Sequence, residues 1–91
     1  MPFVYILYSL SKRNVYVGCT TDFMRRFKAH QRGSVKSTKD RRPFVLIHLE
    51  SYSTLSLARK REGYLKSLYG SRERKKILDK YLRIKALCKD S

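Results

Sequence analysis

The chain has 91 residues and carries 22 lysines and arginines against 7 aspartates and glutamates, a formal net charge of +15. Its length suits one compact domain and excludes two, while a hydrophobic content of 42% argues against disorder. No apolar run approaches the roughly 20 residues that cross a bilayer. The apolar opening lacks the basic region that begins a signal peptide.

The excess of positive charge is the strongest compositional signal. Seven acids cannot neutralise 22 bases by pairing, so the folded chain repels itself unless a polyanion binds it. We expect that partner to be DNA, with RNA as an alternative, ahead of an anionic membrane surface or a merely solvated basic face. The prediction is a cytoplasmic monomer or weak dimer without a membrane interaction. Cys19 and Cys88 form no CxxC or Cys/His cluster, so we expect free thiols rather than zinc ligands.

Two strands open the predicted fold. Phe3–Tyr8 and Val15–Cys19 are rich in β-branched and aromatic residues and flank a polar turn, which predicts an antiparallel hairpin. Because side chains alternate along a strand, Tyr16 and Gly18 share one face of the second strand. Tyr5 of the first strand can face the same side, although a cross-strand tyrosine pair is usually packing.

A helix is predicted from near Asp22, which can cap its positive end, to Gly33, a typical residue just past a helix C-terminus. Arg26 and His30 are four residues apart and therefore project from one side of this helix. An arginine fork suits a phosphate, and a histidine can shuttle protons. Taken alone, the pair is more typical of a surface arginine and a histidine that covers Phe27.

A basic loop is predicted at Arg32–Pro43, and a third strand follows at Phe44–Glu50. The cations of the loop would hold a nucleic-acid strand through its phosphates. The strand is almost continuously apolar, which predicts that it is covered on both faces.

A second helix is predicted from the cap Ser53 to about Tyr69, closed by Gly70. Its apolar stripe, at steps of three and four, comprises Leu55, Ala58, Glu62, Leu65 and Tyr69, with a second stripe of Leu57, Tyr64 and Leu68. Glu62 is the exception, since an unpaired carboxylate in such a stripe costs several kcal/mol. It is explained by a metal ion, by protonation, or by a salt bridge to Arg59 or Lys66.

A third helix is predicted after the cap Ser71, with an apolar side formed by Ile77, Leu78, Tyr81, Leu82 and Ile84. The order β-β-α-β-α-α indicates an α+β fold, in which a small, three-stranded, mainly antiparallel sheet is packed by helices. We expect the domain at residues 1–82 and a frayed tail at 83–91.

Five residues form an unusual chemical set: Tyr5, Tyr16, Arg26, His30 and Glu62. The sequence has no glycine-rich phosphate loop, no GxSxG context for a serine and no acidic pair typical of a two-metal cluster. One carboxylate with an arginine, a histidine and two tyrosines suits phosphodiester cleavage with a single divalent ion.

The order and spacing of this set resemble those of the GIY-YIG nuclease superfamily. "FVYIL" is followed by "YVG", with the second tyrosine eleven residues after the first, and the arginine and histidine follow the second tyrosine by ten and fourteen residues. "SLARKREGYLKSLYG" resembles the helix that carries the metal-binding glutamate of the family. "KSTKDRRPF" resembles the basic loop of its small prokaryotic single-domain members. The similarity covers about residues 3–78 and extends to the N-terminal nuclease domain of the bacterial excision-repair endonuclease.

The resemblance implies a Mg²⁺- or Mn²⁺-dependent endonuclease. We expect it to act in DNA repair or recombination, and a toxin-like or mobile-element nuclease is the alternative context, which the sequence does not separate from these. By position, Glu62 would be the metal ligand, and Arg26 would bind the scissile phosphate and steady its developing charge. Tyr16 is the favoured general base for the attacking water, with Tyr5 beside it. His30 would support the tyrosine or the water.

Gly18 is expected to keep the strand open where the phosphate approaches. The residues expected to contact nucleic acid are Arg25, Lys36, Lys39, Arg41, Arg42 and Lys66. The chain departs from the family pattern at Phe3, where the first glycine is missing. It departs from the excision-repair nuclease at Cys19, where that relative has a lysine, and at Arg74, where it has an asparagine. A catalytically weak or silent nucleic-acid-binding module is therefore the alternative function.

Overall fold

The computed structural model describes residues 1–87 and contains three strands, three α-helices and a short 3-10 helix in that range. The elements are β1 Phe3–Ser9, β2 Val15–Thr20, α1 Phe23–Arg32, the 3-10 helix Lys39–Arg41, β3 Phe44–Ser51, α2 Leu55–Lys66 and α3 Ser71–Leu87. This order confirms the predicted α+β arrangement. Residues 83–87 of the expected tail belong to α3, whereas residues 88–91, with Cys88, lie outside the described range.

The sheet has the order β2-β1-β3, with both neighbouring pairs antiparallel. In the predicted hairpin, Tyr5 lies opposite Gly18, and Leu7 lies opposite Tyr16. All four side-chain positions therefore share one face of the sheet, because directly opposite residues of an antiparallel pair point the same way.

Both faces of β1 are covered, and each face has its own apolar cluster. One cluster joins β1 and β2 to α2 through Val4, Ile6, Val17, Ala58 and Leu65. The other joins Tyr5, Leu7 and Phe44 to α1, through Tyr16, Phe23 and Phe27. Because α2 and α1 pack on opposite sides, the apolar run of β1 is buried at every position after Phe3.

The prediction that β3 is covered on both faces is wrong. The strand lies at the edge of the sheet, and only Phe44 within it is fully buried. Leu46 and Leu49 are 36% and 42% exposed. The apolar run of a strand indicates which side chains it can bury, but the position of the strand in the sheet determines which of its faces a helix covers.

The predicted ends of α1 are confirmed. The Asp22 side chain accepts a hydrogen bond from the Arg25 backbone N–H at 3.2 Å, which satisfies one of the free donors of the first turn. Gly33 has a φ of 81°, the left-handed conformation that ends many helices and that glycine adopts without strain.

The second helix differs from its prediction at both ends. Thr54, rather than Ser53, caps it by accepting from the Leu57 backbone N–H at 3.2 Å, and it ends at Lys66. The chain then turns sharply into Gly70, where an added Cβ would lie 2.1 Å from the Tyr64 carbonyl oxygen.

The predicted second stripe of α2 is consequently wrong, because its three residues face solvent. Leu57 is 46% exposed, Tyr64 44% and Leu68 89%. Tyr69, assigned to the first stripe, lies beyond the helix and is also exposed, whereas Ala58 and Leu65 are buried as predicted.

A polar network fastens β3, α2 and α3 together on the side of the molecule opposite α1. Arg61 binds Glu50 through two hydrogen bonds, at 2.9 and 3.0 Å, and also pairs with Glu73. His48 and Tyr52 each lie 2.6 Å from a Glu50 oxygen. Burial by itself raises the pKa of Glu50, but these hydrogen bonds outweigh it and lower that pKa to about 2.

The third helix packs through Ile77, which joins the α2-side cluster, and through Tyr81, whose ring lies 5.9 Å from that of Tyr8. Leu82 and Ile84, predicted on the same apolar side, are 40% and 50% exposed. None of the helices within residues 1–87 has the length and apolarity needed to cross a membrane.

Candidate active site

An open pocket of about 600 Å³ lies at the β2 edge of the sheet, where α1 from one face and α2 from the other come together. It is lined by Cys19, Thr20, Thr21, Arg26, Leu55, Arg59 and Glu62. Arg26 and Glu62, two residues of the predicted set, thus reach one space from opposite faces of the sheet.

Behind this pocket, Tyr5 and His30 form a buried pair. The Tyr5 hydroxyl oxygen lies 3.0 Å from His30 Nε2, and the two residues are 1% and 0% exposed. The other ring nitrogen, Nδ1, lies 2.8 Å from the hydroxyl oxygen of Thr38. Burial, together with the smaller effects of the Arg26 and Arg41 charges, lowers the pKa of His30 to about 4.

The Tyr5 phenol is held in its neutral form. Its pKa is raised to about 12, chiefly by burial, and the nearby Tyr16 and Glu62 act in the same direction. A hydrogen bond from Arg26, and its charge, act in the opposite direction. Arg26, which lines the pocket, thus also acts on the pKa of the Tyr5 phenol.

The absent side chain at Gly18 makes room for the Tyr5 ring and does not leave an open space for a phosphate. An added Cβ at this position would lie 2.3 Å from Tyr5 Cζ and 2.3 Å from its hydroxyl oxygen, whereas ordinary carbon contacts are about 3.5–4 Å. The aromatic ring itself fills the gap that was expected for a phosphate. The expectation for Gly18 is corrected accordingly: the missing side chain makes room for the tyrosine across the hairpin.

Tyr16 is half-buried beside this pair. Its ring centroid lies 5.1 Å from that of His30, but both nitrogens of His30 are engaged by Tyr5 and Thr38. Two cations approach the Tyr16 ring: Arg41 Cζ at 5.6 Å and Lys66 Nζ at 5.8 Å from its centroid. The histidine is therefore bonded to Tyr5 and only packed against Tyr16.

Glu62 has 23% of its side chain exposed and forms an ion pair with Lys66, Oε2 to Nζ 3.2 Å. This is one of the two salt bridges considered from the helical spacing. The second candidate, Arg59, instead lines the pocket beside Glu62. Cys19 packs against the α2-side cluster and also borders the pocket. Burial raises the pKa of its thiol, and the Glu62 charge raises it further.

Within residues 1–87, no three histidines, cysteines, aspartates or glutamates come together as a metal site. Glu62 would thus be a lone carboxylate ligand facing an open pocket. That donor set fits Mg²⁺ or Mn²⁺, because hard cations of this kind keep several waters and combine one or two carboxylates with substrate phosphates. It does not fit a closed structural metal site.

Three of the residues expected to contact nucleic acid have structural partners. Arg41 donates to Asn14 Oδ1 at 3.0 Å and to the Val15 carbonyl oxygen at 2.9 Å, which ties the basic loop to the hairpin. Arg42 donates to the Arg32 carbonyl oxygen at 3.1 Å and so ties the loop to α1. Lys66, the third, forms the ion pair with Glu62. The remaining three are exposed: Arg25, Lys36 and Lys39.

Sequence reasoning missed Thr38 and Arg59. Thr38 is fully buried within a loop whose basic composition indicated solvent, and nothing in its neighbours distinguishes it from the exposed Ser37. Arg59 stands one helical turn before Glu62, so the three-residue spacing could have placed both beside one pocket.

The chain matches a known protein family. A model of the GIY-YIG catalytic domain matches residues 1–76, which include every residue of the site. The chain belongs to the GIY-YIG family. The resemblance expected from the motifs is confirmed, and the family is one of nucleases.

Relatives of similar size support this assignment. The chain is 44% identical over 81 residues to a UPF0213 protein of Listeria innocua, covering 88% of this chain and 83% of that relative. It is 40% identical over 77 residues to a UPF0213 protein of Haloquadratum walsbyi, covering 84% and 83%. It is 39% identical over 79 residues to a UPF0213 protein of Halobacterium salinarum, covering 86% and 99%. No solved structure matches the chain significantly.

Proposed function

We propose that this GIY-YIG protein is a divalent-metal-dependent endonuclease that hydrolyses phosphodiester bonds of DNA with a tyrosine-assisted water. The observation that supports this most is the pocket at the β2 edge, which combines Arg26 and Glu62; both residues also act on the pKa of the nearby Tyr5 phenol. A cation for phosphate, a carboxylate for a metal ion and a phenol for the nucleophile are thus within one small region.

Each side chain has a defined task in the proposed reaction. Arg26 would grip the scissile phosphate with its planar fork and offset the charge that grows on the phosphoryl oxygens, with Arg59 adding a second cation on the same pocket. Glu62 would hold the divalent ion, which when bound polarises the phosphate and supplies an activated water. Tyr16, the base that the motif order favours, or Tyr5 beside it would orient the attacking water and accept its proton.

Glu62→Gln tests the proposal, because the amide keeps the size of the side chain and removes the charge that binds a cation. Its matched control is Asp79→Asn, the same change at an exposed position of α3 outside the pocket lining. Each protein is incubated with single-stranded, branched and duplex DNA in Mg²⁺, Mn²⁺ or EDTA. We expect metal-dependent cleavage by the parent and by the control, with DNA binding kept and cleavage lost in Glu62→Gln. A parent that cleaves nothing under any metal condition would contradict the proposal.

A binding module without activity is the second candidate, and the Glu62–Lys66 ion pair favours it. That pair, at 3.2 Å, compensates the carboxylate without any metal ion. A metal titration distinguishes the two candidates. If the protein is a nuclease, calorimetry should detect Mn²⁺ binding by the parent and none by Glu62→Gln. For a binding module, the parent and the variant give the same weak signal and the same DNA affinity.

A further inference from the structure

The turn that joins α2 to α3 places two large apolar side chains in solvent. Leu68 and Tyr69 are 89% and 87% exposed, and Tyr64, just before them, is 44% exposed. All three border one recess of about 520 Å³. Single exposed apolar side chains are ordinary, whereas a contiguous group marks a contact surface. We call these three residues the corner patch.

Hydrogen bonds hold the backbone of this turn, so the exposure of its side chains is built into the fold. The Ser67 hydroxyl group donates to the Tyr64 carbonyl oxygen at 2.6 Å. The Ser71 hydroxyl group donates to the Leu68 carbonyl oxygen at 2.7 Å. Arg74 reaches back from α3 and donates to the Ser67 carbonyl oxygen at 2.9 Å. A contact surface that is ordered in advance loses less conformational entropy when a partner binds.

The surroundings of the corner patch are basic. Arg72 and Lys76 line the recess, and Lys75 is exposed on the same helix. Glu73, the only acidic residue among the described residues that line the recess, is already paired with Arg61. With a net charge of +15 on the chain, this surface repels a second copy and attracts a polyanion.

Aromatic rings among cations suit unpaired nucleobases, because a base stacks on the ring while the cations hold the phosphates of its strand. The Tyr64 ring has the Arg61 guanidinium over it, Cζ 5.7 Å from the ring centroid, which steadies it as a wall of the recess. Tyr69 leaves almost its whole ring accessible. The bases of a duplex are stacked on one another and cost energy to separate, so the ring suits an unpaired base.

We propose that the corner patch is a second nucleic-acid contact, at which Tyr69 stacks on an unpaired base and Arg72 and Lys76 bind the phosphates beside it. The inference goes beyond the proposed cleavage, because it concerns binding alone. At about 3.6 residues per turn, Tyr64 lies nearly opposite Glu62 around α2. The recess therefore opens on the other side of this helix from the pocket.

One DNA molecule can nevertheless use both places. The helix rises about 6 Å from Glu62 to Lys66, and three further residues extend at most about 10 Å, so the Cα atoms of Glu62 and Tyr69 are at most about 16 Å apart. Even with the path around a helix about 10 Å across, a strand of roughly ten nucleotides, at about 3.4 Å each, reaches both.

Tyr69→Ala removes the ring, and Tyr69→Phe keeps it as the matched control. Because Tyr69 is almost fully exposed, both variants should keep the melting temperature of the parent. Fluorescence anisotropy in EDTA measures their binding to a single-stranded thymine oligonucleotide and to a blunt duplex. We expect Tyr69→Ala to bind the single strand about 5- to 100-fold more weakly, the range for one lost base–aromatic stack, and the duplex as the parent does. Tyr69→Phe should match the parent on both.

Equal affinity of the parent and Tyr69→Ala for the single strand would overturn the proposal, as would an equal loss on the duplex. A uracil RNA strand is titrated alongside, and a loss on either single strand supports the stack. Salt separates stacking from charge: plots of log K against log salt should be parallel for the parent and Tyr69→Ala, whereas Lys76→Ala should lower the slope by about 0.7. A changed slope in Tyr69→Ala would mean that the lost contact is electrostatic and would also overturn the proposal.

A fluorescent reporter tests the stack directly, since the chain contains no tryptophan. Tyr69→Trp places one indole at the proposed stack, and Leu49→Trp places one at an exposed position of β3, the strand at the other edge of the sheet from β2. We expect the single strand to quench the first and not the second, and equal behaviour of the two would overturn the proposal.

Sedimentation covers the other occupant of the corner patch. A concentration-dependent dimer that Tyr69→Ala abolishes would assign the patch to a second copy and overturn the proposal. A parent that binds the single strand through Tyr69 but cleaves no DNA would refute the nuclease and leave the corner patch intact. The two failures are therefore distinguishable.

Discussion

The close fit of Gly18 beneath Tyr5 leads to a prediction with a matched control. A Cβ at Gly18 would lie 2.3 Å from both Cζ and the hydroxyl oxygen of Tyr5 and 2.7 Å from Cε2. The Tyr5 side chain would therefore have to move by more than about 1 Å to reach ordinary contact distance. It has little room to do so, because the rings of Phe23 and His30 lie 5.6 and 5.7 Å from it, centroid to centroid. Overpacking of this kind costs about 1–3 kcal/mol, and we expect the upper half of that range for Gly18→Ala.

Gly63→Ala is the control, because an added Cβ there meets no atom within 4 Å and Gly63 lies inside α2. Alanine should stabilise that helix by about 0.5–1 kcal/mol. In thermal unfolding, with about 4–8 °C per kcal/mol for a domain of this size, the two variants should move in opposite directions, with Gly18→Ala about 10–20 °C below the parent. Gly18→Ala should also displace Tyr5 from His30 and slow cleavage. If Gly18→Ala had the same melting temperature as the parent and unchanged nitrogen-15 NMR signals of His30, the close packing of Tyr5 on Gly18 would be refuted.

Two further experiments address charge. The pKa of Glu50 falls from 4.5 to about 2 in the folded chain. Its stabilising effect is therefore complete above about pH 4.5 and is lost as the pH falls toward about 2. Urea titrations should show that Glu50→Gln is about 2 kcal/mol less stable than the parent near neutral pH and that this difference disappears between about pH 4.5 and 2. A difference that persists unchanged at the acid end would mean that the carboxylate charge is not its source. Lys36 is exposed on the basic loop, and if it contacts a phosphate, Lys36→Ala should reduce the slope of log K against log salt by about 0.7–0.9. An unchanged slope in salt titrations of DNA binding would remove Lys36 from the interface.

Local rules predicted the features that depend on neighbouring residues in the chain. The hairpin, the shared face of Tyr16 and Gly18, and the two ends of α1 follow from side-chain alternation and from capping chemistry. The end of α2 did not follow, because the helix stops at Lys66, where the Ser67 backbone N–H and side chain both donate to the Tyr64 carbonyl oxygen, a local arrangement that helix propensity does not specify. The spacing of Glu62 and Lys66 correctly offered an ion pair but could not choose between Lys66 and Arg59.

By itself, the sequence determined the α+β order, the GIY-YIG family and the set of side chains from which a site could be built. Only the tertiary structure decided that His30 bonds Tyr5 rather than Tyr16, and that Thr38 is buried against its other nitrogen. Periodicity specifies the face on which a side chain lies within its own element. It does not specify which atom it meets on another element, because Tyr5 and His30 are 25 residues apart and are brought to 3.0 Å only by the packing of α1 on the sheet.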